Sequence, residues 1–249
     1  MSGGASTAAV LAELDRRFAA AQLAPLQSLA LDQGQAAIRG QQLWAPATLD
    51  TIVAGHAREY PGADRRALLS HWSKSYLEAL LPGALLACLL LDRQLPLALD
   101  NVALRLDEDG SVSTLLLGAA SQRLPAGSDL YGRCQALLHG NLQPFVEQLA
   151  RHARLSARAL WGNVAAYLAW AMRLLAERLG LPLASLQQAL QLFSQPAYPD
   201  GWLNPVQRAY QFPQQLDGQG WRRVCCLRYC LEPLPHCVDC PLLKAPRRR

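Results

Sequence analysis

The sequence predicts an α+β protein with a predominantly α-helical body, a small β-hairpin or sheet and a C-terminal Cys-rich module. Three observations predict it. Apolar residues recur every three to four positions through most of residues 1–194. One stretch alternates apolar and other residues on either side of an Asp-Gly turn. Five of the seven cysteines fall within residues 225–240. A chain of 249 residues suffices for a buried core, and one that is 51% apolar and 17% charged is not disordered as a whole.

The elements follow in order. Residues 5–22 place Val10, Leu11, Leu14 and Phe18 at helical spacing. A looser stretch comes next, with a strand expected near 36–43. Residues 48–60 and 63–81 are helical by the same criterion; in the second, Leu68, Leu69, Trp72, Tyr76, Leu77 and Leu80 repeat at three to four residues. Pro82-Gly83 is expected to break or kink the chain before 84–91. Val102, Leu104 and Leu106 alternate with Ala103 and Arg105, and Asp109-Gly110 turns the chain into 111–117, which makes a hairpin. Residues 117–129 read as loop. From Leu130 the pattern is helical again. Ser156 is placed to cap a helix of about 24 residues, closed by Gly180 and Pro182. A shorter helix covers 183–193. Prolines and glycines mark 195–220 as a linker, and Tyr198, Trp202, Tyr210 and Phe212 mark it as one that docks. The expected organisation is a body over 1–194, a docked linker over 195–220 and a module over 221–249.

The most apolar run, 77–91, contains Glu78 and Pro82 and is followed by Asp92-Arg93. A bilayer span needs about 20 apolar residues, so this run reads as a buried helix and no transmembrane segment is expected. Residues 1–22 lack a basic start followed by an unbroken apolar run, so a signal peptide is not expected either. A cytoplasmic, reducing location follows.

Charge is distributed unevenly. Residues 1–221 hold equal numbers of acidic and basic side chains, so the formal net charge of +5 lies wholly in the last 28 residues. There Arg222, Arg223, Arg228, Lys244, Arg247, Arg248 and Arg249 face only Glu232 and Asp239. A neutral body without a basic stripe argues against nucleic acid. An odd number of cysteines, in a chain large enough to rely on its core, reads as a metal site and not a disulfide framework.

The cysteine spacing is Cys225-Cys226, ten residues, then Cys237-x2-Cys240. Four thiolates in one short loop can surround a metal centre, and Cys-x2-Cys suits either zinc or iron–sulfur. Adjacent side chains in extended backbone point to opposite faces. For Cys225 and Cys226 both to ligate, the chain must bend there or the two must reach different metal atoms. Cys230 can substitute for one of the adjacent pair, and a mixed set including His236 is conceivable. Spacing alone leaves the metal and the ligand set open.

The segment from Arg223 to Tyr229 together with Cys237 to Pro241 resembles the C-terminal signature of the FhuF-type ferric-siderophore reductases. Leu160-Trp161-Gly162-Asn163 and His139-Gly140-Asn141-Leu142-Gln143-Pro144 are softer points of similarity. The resemblance implies a [2Fe–2S] cluster held by Cys225, Cys226, Cys237 and Cys240, making 221–249 a cluster-binding module, with Cys230 outside the family pattern. It implies one-electron reduction of Fe(III) in a ferric siderophore. Hard oxygen donors hold Fe(II) far more weakly than Fe(III), so reduction releases the iron. No catalytic side chain beyond the cluster is then required. An external electron donor such as a ferredoxin, flavodoxin or reductase is implied, because the chain has no G-x-G-x-x-G fingerprint of its own.

Around such a centre, Arg222, Arg223, Arg228 and Tyr229 form the expected surround. The arginines would raise the potential of an anionic cluster, attract an acidic electron carrier, or simply pair with carboxylates. Trp161, Asn163, His139, Trp202 and Trp221 are candidate substrate contacts, though aromatics near the linker serve equally to pin it to the body. Two other readings fit the same residues: a zinc-stabilised four-cysteine binding protein, and a siderophore-handling redox sensor without turnover.

Overall fold

The computed structural model describes residues 6–35, 37–118, 120–213 and 220–243. Ser6 opens α1 (Thr7–Ala20) by accepting the Ala9 amide, and Val10, Leu11, Leu14 and Phe18 form its buried face. Two short strands follow, β1 (Leu29–Leu31) and β2 (Ile38–Arg39). The strand expected over 36–43 is thus shorter, and Ala36 lies outside the described residues. From Gly40 to Trp44 the chain coils into a 3-10 helix. Gly40 crosses the Leu99 backbone so closely that a β-carbon would lie 1.8 Å from its carbonyl oxygen, and there the chain leaves the sheet.

Helix α2 (Pro46–Glu59) precedes α3 (Arg65–Leu90), whose N-cap Asp64 accepts the Arg66 and Ala67 amides. Of the break or kink expected at Pro82-Gly83, the break does not occur, and α3 continues through both residues. Proline inside a helix costs about 3 kcal/mol, but α3 is buried along most of its length and its packing offsets that loss. Gly83 lies where Leu29 closes on the helix, and a β-carbon there would come within 2.7 Å of the Leu29 side chain. By length and composition α3 could cross a bilayer, yet it is the central core helix, carrying the wholly buried Trp72, Tyr76, Leu77 and Leu80.

After β3 (Arg93–Gln94), strands β4 (Val102–Leu106) and β5 (Val112–Leu117) form the expected hairpin, pairing Val102 with Leu117. The sheet order is β1-β5-β4-β2, with β1 parallel to β5 and β2 antiparallel to β4. Part of the expected loop at 117–129 is strand β6 (Gln122–Arg123), which pairs with β3. Two-residue strands are too short to show alternation. The hairpin turn is held from two sides. Trp72 Nε1 donates to the Gly110 carbonyl at 3.1 Å, and His56 Nδ1 stands 2.7 Å from the Asp109 carbonyl.

Helix α4 (Leu130–Leu137) passes through a π-turn at Leu138–Leu142 into α5 (Gln143–Ala153). Next come α6 (Ala157–Arg178), packed on α3, and α7 (Leu183–Ser194). Ser156 occupies the N-cap of α6, but its hydroxyl makes no capping bond. Gly180 ends that region at φ +80°. Residues beyond α7 run over α6 through α8 (Pro205–Ala209), and β7 (Tyr210–Gln211) pairs with β8 (Trp221–Arg222). Buried Asn204 ties this stretch to α7. Its amide donates to the carbonyls of Phe193 at 3.0 Å and Gln195 at 2.9 Å, while its oxygen caps α8.

Gly55 of α2 lies against the hairpin turn, where a β-carbon would sit 2.6 Å from the Asp109 carbonyl oxygen. Gly55→Ala should therefore destabilise the protein by about 1–3 kcal/mol through overpacking, read as a lower denaturant midpoint with an unchanged slope.

Candidate four-thiol site

After β8 the chain enters the cysteine loop. Leu227 adopts the left-handed φ of +64°, which disfavours a residue with a β-carbon by about 1–2 kcal/mol. This turn redirects the chain just after the two adjacent cysteines. The Leu227 amide folds back to donate to Cys225 Sγ at 3.4 Å. Cys226, Cys237 and Cys240 are buried and cluster together, with the half-buried Cys225 against them. Cys226 Sγ lies 3.4 Å from Cys237 Sγ, and the Cys225 thiol contacts that of Cys240. The two adjacent cysteines thus meet different partners. Among the described residues, no group of three or more His, Cys, Asp or Glu is arranged around a single ion position. Cys230 lies apart from these four. It packs on a second apolar cluster with Tyr60, Leu68 and Leu231. His236 stacks on Tyr229 with ring centroids 5.6 Å apart.

A buried polar network holds this loop on the body. Arg222, 4% exposed, donates from Nε to Asp239 Oδ1 at 2.9 Å and from Nη1 to Asn163 Oδ1 at 2.5 Å. The Arg222 amide donates to the Asp239 carbonyl at 2.9 Å. Asn163 of α6 donates in turn to the Ser70 carbonyl at 3.1 Å and to Ser73 Oγ at 2.9 Å, both on α3. Ser70 Oγ donates to the Cys226 carbonyl at 2.8 Å. The chain of bonds therefore starts and ends on the cysteine loop and crosses the two central helices.

Charge concentrates on the sulfurs. Buried Lys74 donates from Nζ toward Cys237 Sγ at 3.7 Å. The hydrogen bond from Cys237 draws the Cys226 thiol down to about 4 against its burial, and Lys74 and Arg222 add to the effect. The same bond pushes Cys237 up. Burial raises Cys225 to about 11. Burial by itself would lower Arg222, but Cys226 and Asp239 outweigh it and hold the guanidinium charged. Lys74 and Arg222 thus place positive charge beside Cys226 and Cys237.

The structure sorts the candidate residues into separate places. Asn163 and Arg222 belong to the network beneath the thiols. Arg228 lies beside them, and Arg223 is exposed, donating from Nε to the Gln207 carbonyl at 3.2 Å. Tyr229 is largely exposed and touches Cys230. His139, Trp161 and Trp202 form a different group. His139 and Trp202 stand 4.3 Å apart, and Trp161 and Trp202 6.0 Å, with Tyr131 and Tyr198 stacked alongside. Tyr131 donates to Asp200 at 2.5 Å and its hydroxyl lies 2.8 Å from His139 Nε2. These aromatics join α4, α6 and the linker, which is a pinning arrangement. Trp221, on β8, is half-buried. Sequence reasoning missed Ser70, Ser73 and Lys74. A lone lysine among Leu68, Leu69, Trp72 and Leu77 was the available signal, since a buried ammonium needs a partner.

Together these features describe an α+β protein whose C-terminal loop gathers four thiols against two core helices, with a buried cation at the sulfurs. Residues 70–218 match the family described as "Ferric iron reductase FhuF-like transporter", which is more than half of the chain. The chain belongs to this family, and the four cysteines follow the matched span. It is also 25% identical over 180 residues to the ferric siderophore reductase of Escherichia coli (strain K12), a similarity covering 72% of this chain and 67% of that protein.

Asp239 is the sole carboxylate bonded to the buried Arg222 side chain among the described residues. Asp239→Ala should cost about 3–5 kcal/mol, the loss expected when one partner of a buried ion pair is removed. Arg223→Ala, at an exposed position, should stay within about 0.5 kcal/mol. Urea unfolding of both variants checks the contrast.

Proposed function

We propose that this protein is a cytoplasmic ferric-siderophore reductase in which Cys225, Cys226, Cys237 and Cys240 hold a [2Fe–2S] centre. The observation that carries the reading is the division of the thiols into two pairs, Cys226 with Cys237 and Cys225 with Cys240. A two-iron centre takes two thiolates on each iron, whereas a single zinc ion needs all four around one point. The donor set fits the two-iron group in number, softness and pairing. Family membership and the similarity to a ferric siderophore reductase support the substrate.

When bound, such a centre supplies one electron at a time to Fe(III) in the chelate. The residues of this chain set the conditions. Lys74 and Arg222 place positive charge beside the sulfurs and favour the more negative, reduced state. The Leu227 amide, donating to Cys225, acts in the same direction. Burial of Cys226, Cys237 and Cys240 keeps water from the sulfurs. The electron must come from an external one-electron carrier. The exposed Val238, Leu242 and Leu243 near the thiols, with Arg223 and Arg228, supply an apolar and basic surface for an acidic ferredoxin or flavodoxin.

The purified protein should be red-brown, with visible absorption bleached by dithionite. Serine at any of the four cysteines should abolish that absorption, and Cys230→Ser should retain it. A colourless protein isolated anaerobically with stoichiometric zinc would overturn the reading. Dithionite-reduced protein should be reoxidised by ferric hydroxamate, catecholate or carboxylate chelates while a ferrous trap collects Fe(II). Reoxidation by none of them would favour a redox sensor. Lys74→Met should lower the reduction potential, by on the order of tens of millivolts given the lost charge at the sulfur, as measured by redox titration.

A further inference from the structure

A groove of about 660 Å³ lies between α3 and α6 beside the thiols. That volume falls within the range of about 300–1,000 Å³ usual for small-molecule sites. Cys237 is the one thiol on its wall. Tyr167 and Trp170 of α6 present half-exposed rings there, edge to face at 5.6 Å. Two other hollows, of about 850 Å³ beside Phe212 and about 560 Å³ beside Trp161, have no thiol on their walls.

The charges of the groove are largely matched. Lys74 is engaged with Cys237, and Arg222 with Asp239 and Asn163. Arg173 and Arg228 share the wall with Glu78 and Glu177. His71, also on the wall, is kept neutral by burial, which lowers it to about 4. A wall without large net charge does not select its ligand by long-range attraction. The flat faces of Trp170 and Tyr167 then carry the contact with the organic shell of a chelate.

We propose that the ferric chelate binds in this groove, against Trp170 and Tyr167, with Cys237 as the thiol facing the bound complex. The site rests on the reductase reading above. It also differs from the sequence expectation, because Trp161, His139 and Trp202 lie in the aromatic pin and not on this wall.

Gallium(III) complexes separate binding from electron transfer, since gallium matches Fe(III) in size and charge and is not reduced. Binding of the gallium(III) complexes of acetohydroxamate, catecholate and citrate to the cluster-loaded protein can be followed by calorimetry. At least one should bind. Trp170→Ala should weaken it tenfold or more, and so should Ala166→Phe, which fills the groove from the half-exposed Ala166 without removing a contact. Arg158→Ala, in the hollow beside Trp161, should leave it unchanged. The visible spectrum should match wild type in all three. If Trp170→Ala does not fold, Ala166→Phe decides. Unchanged binding in the folded groove variants, loss in Arg158→Ala, or no binding of any complex by wild type overturns the site. Wild-type reoxidation by ferric chelates in those cases leaves the reductase reading intact. Absence of reoxidation by every chelate sinks that reading, whatever the gallium complexes do.

Discussion

The guanidinium of Arg222 is the contact on which the site depends. It is buried, and a buried charge persists only with partners that replace its water. Asp239 supplies the opposite charge from within the Cys237–Cys240 turn, and Asn163 supplies a neutral acceptor from α6. One side chain therefore sets the distance between the cysteine loop and the core. The loop's position follows from this tie, from Ser70 binding the Cys226 carbonyl, and from Leu231, which is buried against Tyr60, Ala67 and Leu68. The same guanidinium adds positive charge beside the sulfurs. Structural and electrostatic roles coincide because both need a cation that water cannot reach.

Two short motifs divide their labour in the same way. In Trp161-Gly162-Asn163 the tryptophan faces the aromatic pin and the asparagine faces the thiol network, since positions two apart on a helix point to different sides. In His139-Gly140-Asn141 the histidine joins the pin, while Asn141 is buried, donating to the Leu97 carbonyl at 2.7 Å and accepting from Tyr76 at 2.9 Å. Each motif connects an outer layer to an inner one. The linker aromatics Tyr198 and Trp202 complete the outer layer, so the route from α7 to the cysteines is packed along much of its length.

Much of the fold was legible as periodicity. The helices at Thr7–Ala20, Pro46–Glu59, Ala157–Arg178 and Leu183–Ser194 lie close to where apolar spacing places them, and the hairpin lies where alternation and Asp-Gly place it. What was not legible depended on distant partners. Strand β1 is three residues long and exists because β5 pairs with it. Pro82 is tolerated because α3 is buried, a fact about its neighbours and not about proline. At the site, the cysteines were legible from their spacing, but Lys74, Ser70 and Ser73 stand more than 150 residues away in the chain, and nothing local names the loop as their partner.

The sequence by itself determined the class of fold, the concentration of thiols and charge at one end, and the resemblance that points to iron chemistry. Those properties are local, carried by period, spacing and composition. Only the tertiary structure decided how the thiols pair, that Cys230 packs elsewhere, that Arg222 is a buried tie and not part of an exposed rim, and which groove Cys237 faces. Each of these depends on what α3 and α6 bring to the loop, and no local pattern encodes the partner of a side chain that lies across the core.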